Sequence, residues 1–259
     1  MNATALKTSD FFTGIVQTEH KDYDVKLPIF YYDNSALSAI YTASTAQVRK
    51  RLPFPNMHPV ELIPGRCLLA LSAFEYRRTD IGPYNEFSVA AIISYGKRAI
   101  PGLTSLSCMM RNEFAAYILY LPVTSERARR GGLEMAGYPK FLADIVFTRD
   151  PQATTCTVSE DGRRILTLRG KNTETSRGRL TKYKLYTSKG GIPLGANLYM
   201  NPLQYAQMSG RNMAALELGT GHRISTDLRD LALGRRPLLY QYIPSYEAIL
   251  FGSKNIIDD

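Results

Sequence analysis

The chain has 259 residues, which suits one large domain or two small ones, and either can bury a sizeable core. Apolar residues make up 44% and charged residues 21%, an ordinary globular composition, and no apolar run is long enough to cross a membrane. The net charge is +9, but the basic residues are dispersed in short groups. Dispersed charge favours a solvated surface, so we expect neither a nucleic acid nor a membrane as partner.

The cysteines point to a reducing compartment. Cys67, Cys108 and Cys156 are scattered, odd in number and without metal-ligand spacing, a pattern that predicts reduced thiols in a cytoplasmic protein. The first ten residues are polar and lack the apolar core of a secretory signal.

The first half of the chain is predicted to be mainly strands. An irregular lead-in over residues 1–26 precedes β-forming residues at 28–42, which we expect to be broken at residues 33–35. A short helix follows, with Ser44 or Thr45 as its cap. The remaining predicted elements are strands over 65–78, 86–95 and 114–122, a helix over 125–136 and a strand over 141–148.

The second half continues with hairpins. Asp161-Gly162 is a strong turn signal between strands predicted over 154–160 and 164–171. Further strands are expected over 180–188, 195–200 and 238–251, and a short helix over 228–233. We therefore predict an α+β protein built on a curled, mainly antiparallel sheet or barrel with a few short helices, as a single domain over 1–259.

Two charged residues lie in apolar surroundings. Lys140 follows Tyr138-Pro139 and precedes Phe141; if this segment folds inward, desolvation favours the neutral amine, which forms Schiff bases with ketones. The alternative is a lysine that keeps its ammonium in water. Glu86 opens an otherwise apolar strand, either as an exposed strand end or as an inward acid near a pocket.

Other catalytic patterns are missing. The chain has no phosphate-binding loop, dinucleotide fingerprint or nucleophile elbow. Its three histidines are far apart, so we expect no zinc site.

Taken together, these residues resemble the acetoacetate decarboxylase superfamily. The specific match is the segment from Gly132 to Lys140, which ends in Tyr-Pro-Lys; the others are residues 42–53, 82–86 and 243–247. The resemblance implies that family's barrel and a Schiff base between Lys140 and a small keto acid, so the mechanism is carried over from the family.

The resemblance also assigns roles around Lys140. Glu86 matches the family's active-site glutamate, and we expect Tyr84, Tyr138 and Phe141 to line the pocket. No metal or organic cofactor is implied, because the lysine itself is the electron sink. Characterised relatives assemble, so a homo-oligomer is expected.

The chain departs from the family at three places. The second lysine of the decarboxylases is replaced by Phe141, their additional glutamate falls at Ala70 or Leu71, and their upstream arginine is missing from residues 29–34. The group that binds the substrate carboxylate is therefore not identified, and neither is the actual substrate.

Several functions remain open. Decarboxylation of a β-keto acid comes first. Condensation of pyruvate with an aldehyde, followed by dehydration, is the alternative, with Glu86 and a tyrosine such as Tyr240 or Tyr246 as base and acid. A non-catalytic ligand-binding protein is a third reading, and an RNA-binding β module, motivated only by the charge, a fourth.

Overall fold

The computed structural model describes residues 9–23 and 25–256, without the side chain of Asp22, and these residues form mainly strands. The strands are β1 (Thr18–His20), β2 (Val25–Leu27), β3 (Ile29–Ser44), β4 (Met57–Pro59), β5 (Glu61–Ile63), β6 (Arg66–Thr79), β7 (Tyr84–Tyr95), β8 (Glu113–Val123), β9 (Lys140–Leu142), β10 (Asp144–Arg149), β11 (Ala153–Glu160), β12 (Arg163–Lys171), β13 (Thr181–Lys189), β14 (Ile192–Met208), β15 (Ala214–Leu218), β16 (Leu239–Leu250) and β17 (Lys254–Asn255). The α-helices are α1 (Thr45–Arg49), α2 (Leu103–Arg111), α3 (Glu126–Ala136) and α4 (Arg223–Asp230).

Seven long strands close into a barrel. Hydrogen bonds join them in the order β7-β6-β3-β16-β14-β13-β8, and pairing of β8 with β7 completes the ring. All neighbours are antiparallel except β8 and β13, which run parallel. The predicted class, a curled and mainly antiparallel sheet with short helices, is confirmed.

A second sheet, with strand order β10-β11-β12-β15, packs against the barrel. The largest hydrophobic cluster joins Leu71 and Phe87 of the barrel to Val158 and Leu168 of this sheet, all at most 1% exposed. Burying each such side chain contributes roughly 1.5–3 kcal/mol. This shared core fixes the second sheet on the barrel. No helix within the described residues is long and apolar enough to cross a membrane.

Elements with local signals are where the sequence places them. The side chains of Ser44 and Ser125 accept the N–H groups of residues two or three positions into α1 and α3, as N-caps do. Asp161 and Gly162, with φ of 49° and 72°, form the turn between β11 and β12.

Residues 28–42 differ from the prediction. They form one strand, β3, in place of two broken at 33–35, because the irregularity is absorbed as register shifts around Asp33. The neighbouring Asn34 is buried and donates from Nδ2 to the carbonyl oxygen of Tyr246 at 3.0 Å, so its turn-forming amide is used across the sheet instead.

The predicted strand over 141–148 is divided. β9 pairs with β8 of the barrel, whereas β10 pairs with β11 in the second sheet. The last helix, α4, begins earlier than predicted because the side chain of His222 accepts the N–H of Ile224 as a cap. The sequence reading also missed α2.

Candidate active site

Lys140 and Glu86 meet across one barrel strand. Glu86 on β7 pairs with Val123 of β8, and Lys140 on β9 pairs with Leu121 of β8. Leu121 and Val123 are two positions apart, so their partners project from the same face of the sheet. The Nζ atom of Lys140 lies 2.8 Å from Oε2 of Glu86.

Both side chains are almost removed from water, with exposed fractions of 8% for Lys140 and 9% for Glu86. A charged pair in this position loses hydration, which mutual attraction and further hydrogen bonds must offset. The second carboxylate oxygen of Glu86 accepts a hydrogen bond from the Tyr76 hydroxyl at 3.3 Å. The carboxylate is therefore held from two sides, with one oxygen placed to take a proton from the amine.

Tyrosine rings surround this pair. The Lys140 ammonium lies 5.5 Å from the ring centroid of Tyr84 and 5.9 Å from that of Tyr138, within the range of cation–π attraction. The hydroxyls of Tyr31 and Tyr84 are 3.5 Å apart. Burial raises the pKa of Tyr31, Tyr84, Tyr138 and Tyr246 above the ordinary value, and the negative charge of Glu86 raises it further. The phenols therefore stay protonated at neutral pH.

Helix α3 passes close to Lys140 at a glycine. A Cβ added to Gly132 would lie 2.6 Å from Cδ and 2.7 Å from Cε of Lys140. At the adjacent Gly131 an added Cβ would meet nothing within 4 Å. The missing side chain of Gly132 is what lets the lysine pass beneath the helix.

Lys140 forms part of the wall of a cavity of about 320 Å³ that is open on one side. Tyr31 and Tyr138 line the same cavity, whereas Glu86 and Tyr84 lie behind the lysine and do not. Lys140 thus borders a space that a substrate can enter, and its Nζ contacts a carboxylate that is not part of the cavity wall.

Few charged groups border the cavity. Besides Lys140 these are His20, Arg127 at the first turn of α3, Glu134 and Lys189, whose ammonium donates to the backbone oxygen of Glu134. Within the part of the chain that the structure describes, no three His, Cys, Asp or Glu side chains are grouped to hold a metal ion.

The expected site residues are not all together. Lys140, Glu86, Tyr84 and Tyr138 form one cluster, but Phe141 does not line the cavity: the alternation of β9 sends it to the opposite face, where it packs on the largest core cluster. Of the three residues expected to line the pocket, Tyr138 lines this cavity, whereas Tyr84 and Phe141 do not.

The two tyrosines named as candidate acids also separate. Tyr246 belongs to the cluster near Glu86. Tyr240 is fully buried in the other core, beside Gly170, where an added Cβ would meet its hydroxyl at 2.1 Å. Of these two tyrosines, Tyr246 is the one in the cluster near Glu86.

Sequence reasoning missed Tyr31, Tyr76, Gly132 and Arg127 as site residues. Gly132 carried a signal, because paired glycines inside a helix weaken it and call for a packing reason. The tyrosines carried none, since 17 tyrosines are spread along the chain and only the barrel brings these together.

A sequence model of the acetoacetate decarboxylase (ADC) family matches residues 17–233. No curated protein sequence matches the chain.

Solved structures share the fold. The acetoacetate decarboxylase of Legionella pneumophila subsp. pneumophila str. Philadelphia 1 covers 88% of this chain and 87% of its own, at 12% identity and a TM-score of 0.63. The enduracididine biosynthesis enzyme MppR, complexed with the condensation product of pyruvate and imidazole 4-carboxaldehyde, covers 88% of each chain at 13% identity and a TM-score of 0.61. An acetoacetate decarboxylase-like enzyme from Sphingomonas wittichii RW1 covers 90% and 94%, at 14% identity and a TM-score of 0.57.

Proposed function

The chain belongs to the acetoacetate decarboxylase family, and from that premise we propose that it is a lyase whose Lys140 forms a Schiff base with a keto acid. The observation that carries the proposal is the burial of Lys140 on a cavity wall, with Glu86 in contact behind it. A lysine stays away from water only where its surroundings give it a partner or a role.

The first step is formation of the imine. Glu86 takes a proton from the Lys140 ammonium across their 2.8 Å contact, and the neutral amine attacks the substrate's ketone carbon. The proton on Glu86 returns to the hydroxyl of the resulting carbinolamine, which leaves as water, and the product is a protonated imine. The positive nitrogen then accepts the electron pair of a bond broken at the α-carbon.

Decarboxylation is the fate we place first. The carboxylate of a β-keto acid leaves as carbon dioxide, its C–C electrons pass into the imine, and the enamine that remains is protonated on carbon. Loss of charge is favoured where the surroundings are apolar, and most of the cavity wall is apolar. Hydrolysis of the imine then releases the ketone and the lysine.

Aldol condensation with dehydration is the alternative, which MppR's complex with a condensation product of pyruvate brings forward. It needs a base at the α-carbon and an acid to expel hydroxide. The protonated tyrosines beside Glu86 supply candidate acids. A ligand-binding protein without turnover is the remaining reading.

The test is reductive trapping. Borohydride with acetoacetate or pyruvate should add one ligand mass, mapped by digestion to Lys140. Lys140→Met should abolish labelling, whereas the matched change Lys184→Met, outside the cavity wall, should not. Labelling elsewhere, or none, would refute the proposal.

A second assay separates the fates. The protein is given acetoacetate alone, then pyruvate with an aldehyde, and carbon dioxide and enone absorbance are followed. Enone without carbon dioxide selects the aldolase-dehydratase. Trapping without either product selects the ligand-binding reading.

A further inference from the structure

The cavity beside Lys140 is larger than a small keto acid requires. Its volume of about 320 Å³ corresponds to the liquid volume of about eleven water molecules, at about 30 Å³ each. Pyruvate and acetoacetate have only six and seven heavy atoms. Space remains for further atoms of a substrate held at Lys140.

The side chains that face this space are mainly apolar. Leu27 ends β2, Ile29 begins β3, and Leu250 ends β16 as the cross-strand partner of Ile29. Phe251 follows, and the chain after it packs closely on Leu27, because a Cβ added to Gly252 would lie 3.1 Å from Leu27 Cδ1. These segments form one continuous apolar wall.

We propose that the substrate is a keto acid with an apolar arm of about four or five carbon atoms, bound along Leu27, Ile29 and Leu250. The inference rests on the proposed function, since Lys140 holds the keto carbon. Burial of the arm on this wall supplies binding energy that a three- or four-carbon acid lacks.

A chain-length series tests the arm. Straight-chain 2-keto acids from pyruvate to 2-oxodecanoate serve as stable probes, and borohydride labelling of the full-length protein gives the half-saturating concentration of each. Each added methylene should lower that concentration about threefold to fourfold. The trend should end once the arm exceeds about five carbons, because further methylenes then extend beyond the cavity wall.

A wall variant locates the arm. Leu250→Phe should reduce the preference for 2-oxooctanoate over pyruvate at least tenfold. The matched change Val146→Phe, at a side chain 55% exposed on β10, should leave the preference unaltered. If Leu250→Phe does not fold, the series on the unaltered protein still decides.

The outcomes distinguish the two proposals. Equal labelling at every chain length would overturn the apolar arm and leave the Schiff base standing. No labelling at any length would overturn the Schiff base. Titration calorimetry of the same acids then tests the arm alone: affinity that rises with chain length supports it, and affinity independent of length refutes it.

Discussion

At the scale of single residues, the buried pair of Lys140 and Glu86 affects both the stability of the fold and the proposed reaction. Each ion loses hydration, and each is stabilised by the other at 2.8 Å. The Tyr76 hydroxyl donates a hydrogen bond to the other carboxylate oxygen of Glu86. A proton that moves from the ammonium to Glu86 neutralises both groups at once and leaves a nucleophilic amine.

Glu86→Gln should separate imine formation from turnover. Glutamine keeps the volume but cannot accept the proton, so we expect turnover to fall by about two to four orders of magnitude. Borohydride trapping should persist in part, because Lys140, the group that forms the imine, is unaltered. Steady-state rates and intact mass measure the two effects.

Glu247→Gln is the matched control. Like Glu86, Glu247 is buried and outside the cavity wall, but its Oε2 accepts hydrogen bonds from Ser9 and Asn201. Its neutralisation should change stability more than turnover. Unaltered turnover in Glu86→Gln would return Glu86 to a structural role.

The buried phenols make the fold sensitive to alkali. The pKa of Tyr31, Tyr84, Tyr138 and Tyr246 is raised chiefly by burial. Above pH ~10 the unfolded chain loses these protons while the folded protein keeps them, so the free energy of unfolding falls, by up to about 1.4 kcal/mol per pH unit for each. Denaturant titrations from about pH 8 to about pH 11 measure the slope. Ionisation of all tyrosines near pH 10 in the folded protein would contradict it.

At the scale of elements, the sequence predicted those helices, strands and turns that are determined by residues close together in the chain. The caps of α1 and α3 and the Asp161-Gly162 turn act within a few positions, and those elements were correct. The parallel pairing of β8 with β13 and the division of residues 141–148 between two sheets depend on contacts distant in the chain. Local patterns do not contain that information.

The candidate site was foreseen to a similar extent. Lys140 and Glu86 were singled out by their apolar neighbours and received their roles from the family resemblance, and their contact agrees with a shared site. The sequence around Phe141 is apolar and does not show which face of the sheet its side chain takes. Only the pairing of β9 decides that direction. Gly132 entered the sequence analysis only as the first residue of the matched segment, since its contact with Lys140 joins two different elements.

Gly132→Ala should raise helix propensity and damage the site. Alanine favours a helix over glycine by about 1 kcal/mol, but its Cβ would displace Lys140 from contacts of 2.6 and 2.7 Å. A displacement of about 1 Å costs catalysis on the order of a hundredfold. The rate of borohydride trapping should fall at least tenfold.

Gly131→Ala is the control at the adjacent position. An added Cβ there meets nothing within 4 Å. The free energy of unfolding should therefore rise by about 1 kcal/mol from helix propensity, and the rate of borohydride trapping should not change. Equal trapping rates in the two variants would show that Gly132 does not position the lysine.

At the scale of the whole molecule, exposed apolar side chains of the described residues are concentrated on a surface outside the cavity wall. β5 and α2 adjoin there, since Gly102 N–H donates to the Glu61 carbonyl at 3.0 Å. We name this surface the α2 patch; it consists of Leu62, Ile63, Ile100, Leu103, Leu106, Met109 and Met110, each at least 36% exposed. These are half of the exposed large hydrophobic side chains in the described residues. Such concentration is typical of an interface.

We propose that the protein is a homo-oligomer and that a second copy covers the α2 patch. Burying these side chains on association removes apolar surface from water, which drives assembly. Light scattering at micromolar concentration should give a mass that is a multiple of 29.0 kDa. Leu106→Asp places a charge in the patch and should shift the mass toward a single chain.

The control for that shift is Val16→Asp, which adds the same charge at a side chain 84% exposed outside the patch and should keep the mass of the unaltered protein. An oligomer that survives Leu106→Asp would move the interface to another surface. A mass of 29.0 kDa for the unaltered protein would refute assembly. Because the α2 patch excludes the cavity-lining residues, loss of the oligomer through Leu106→Asp should leave Lys140 trapping intact.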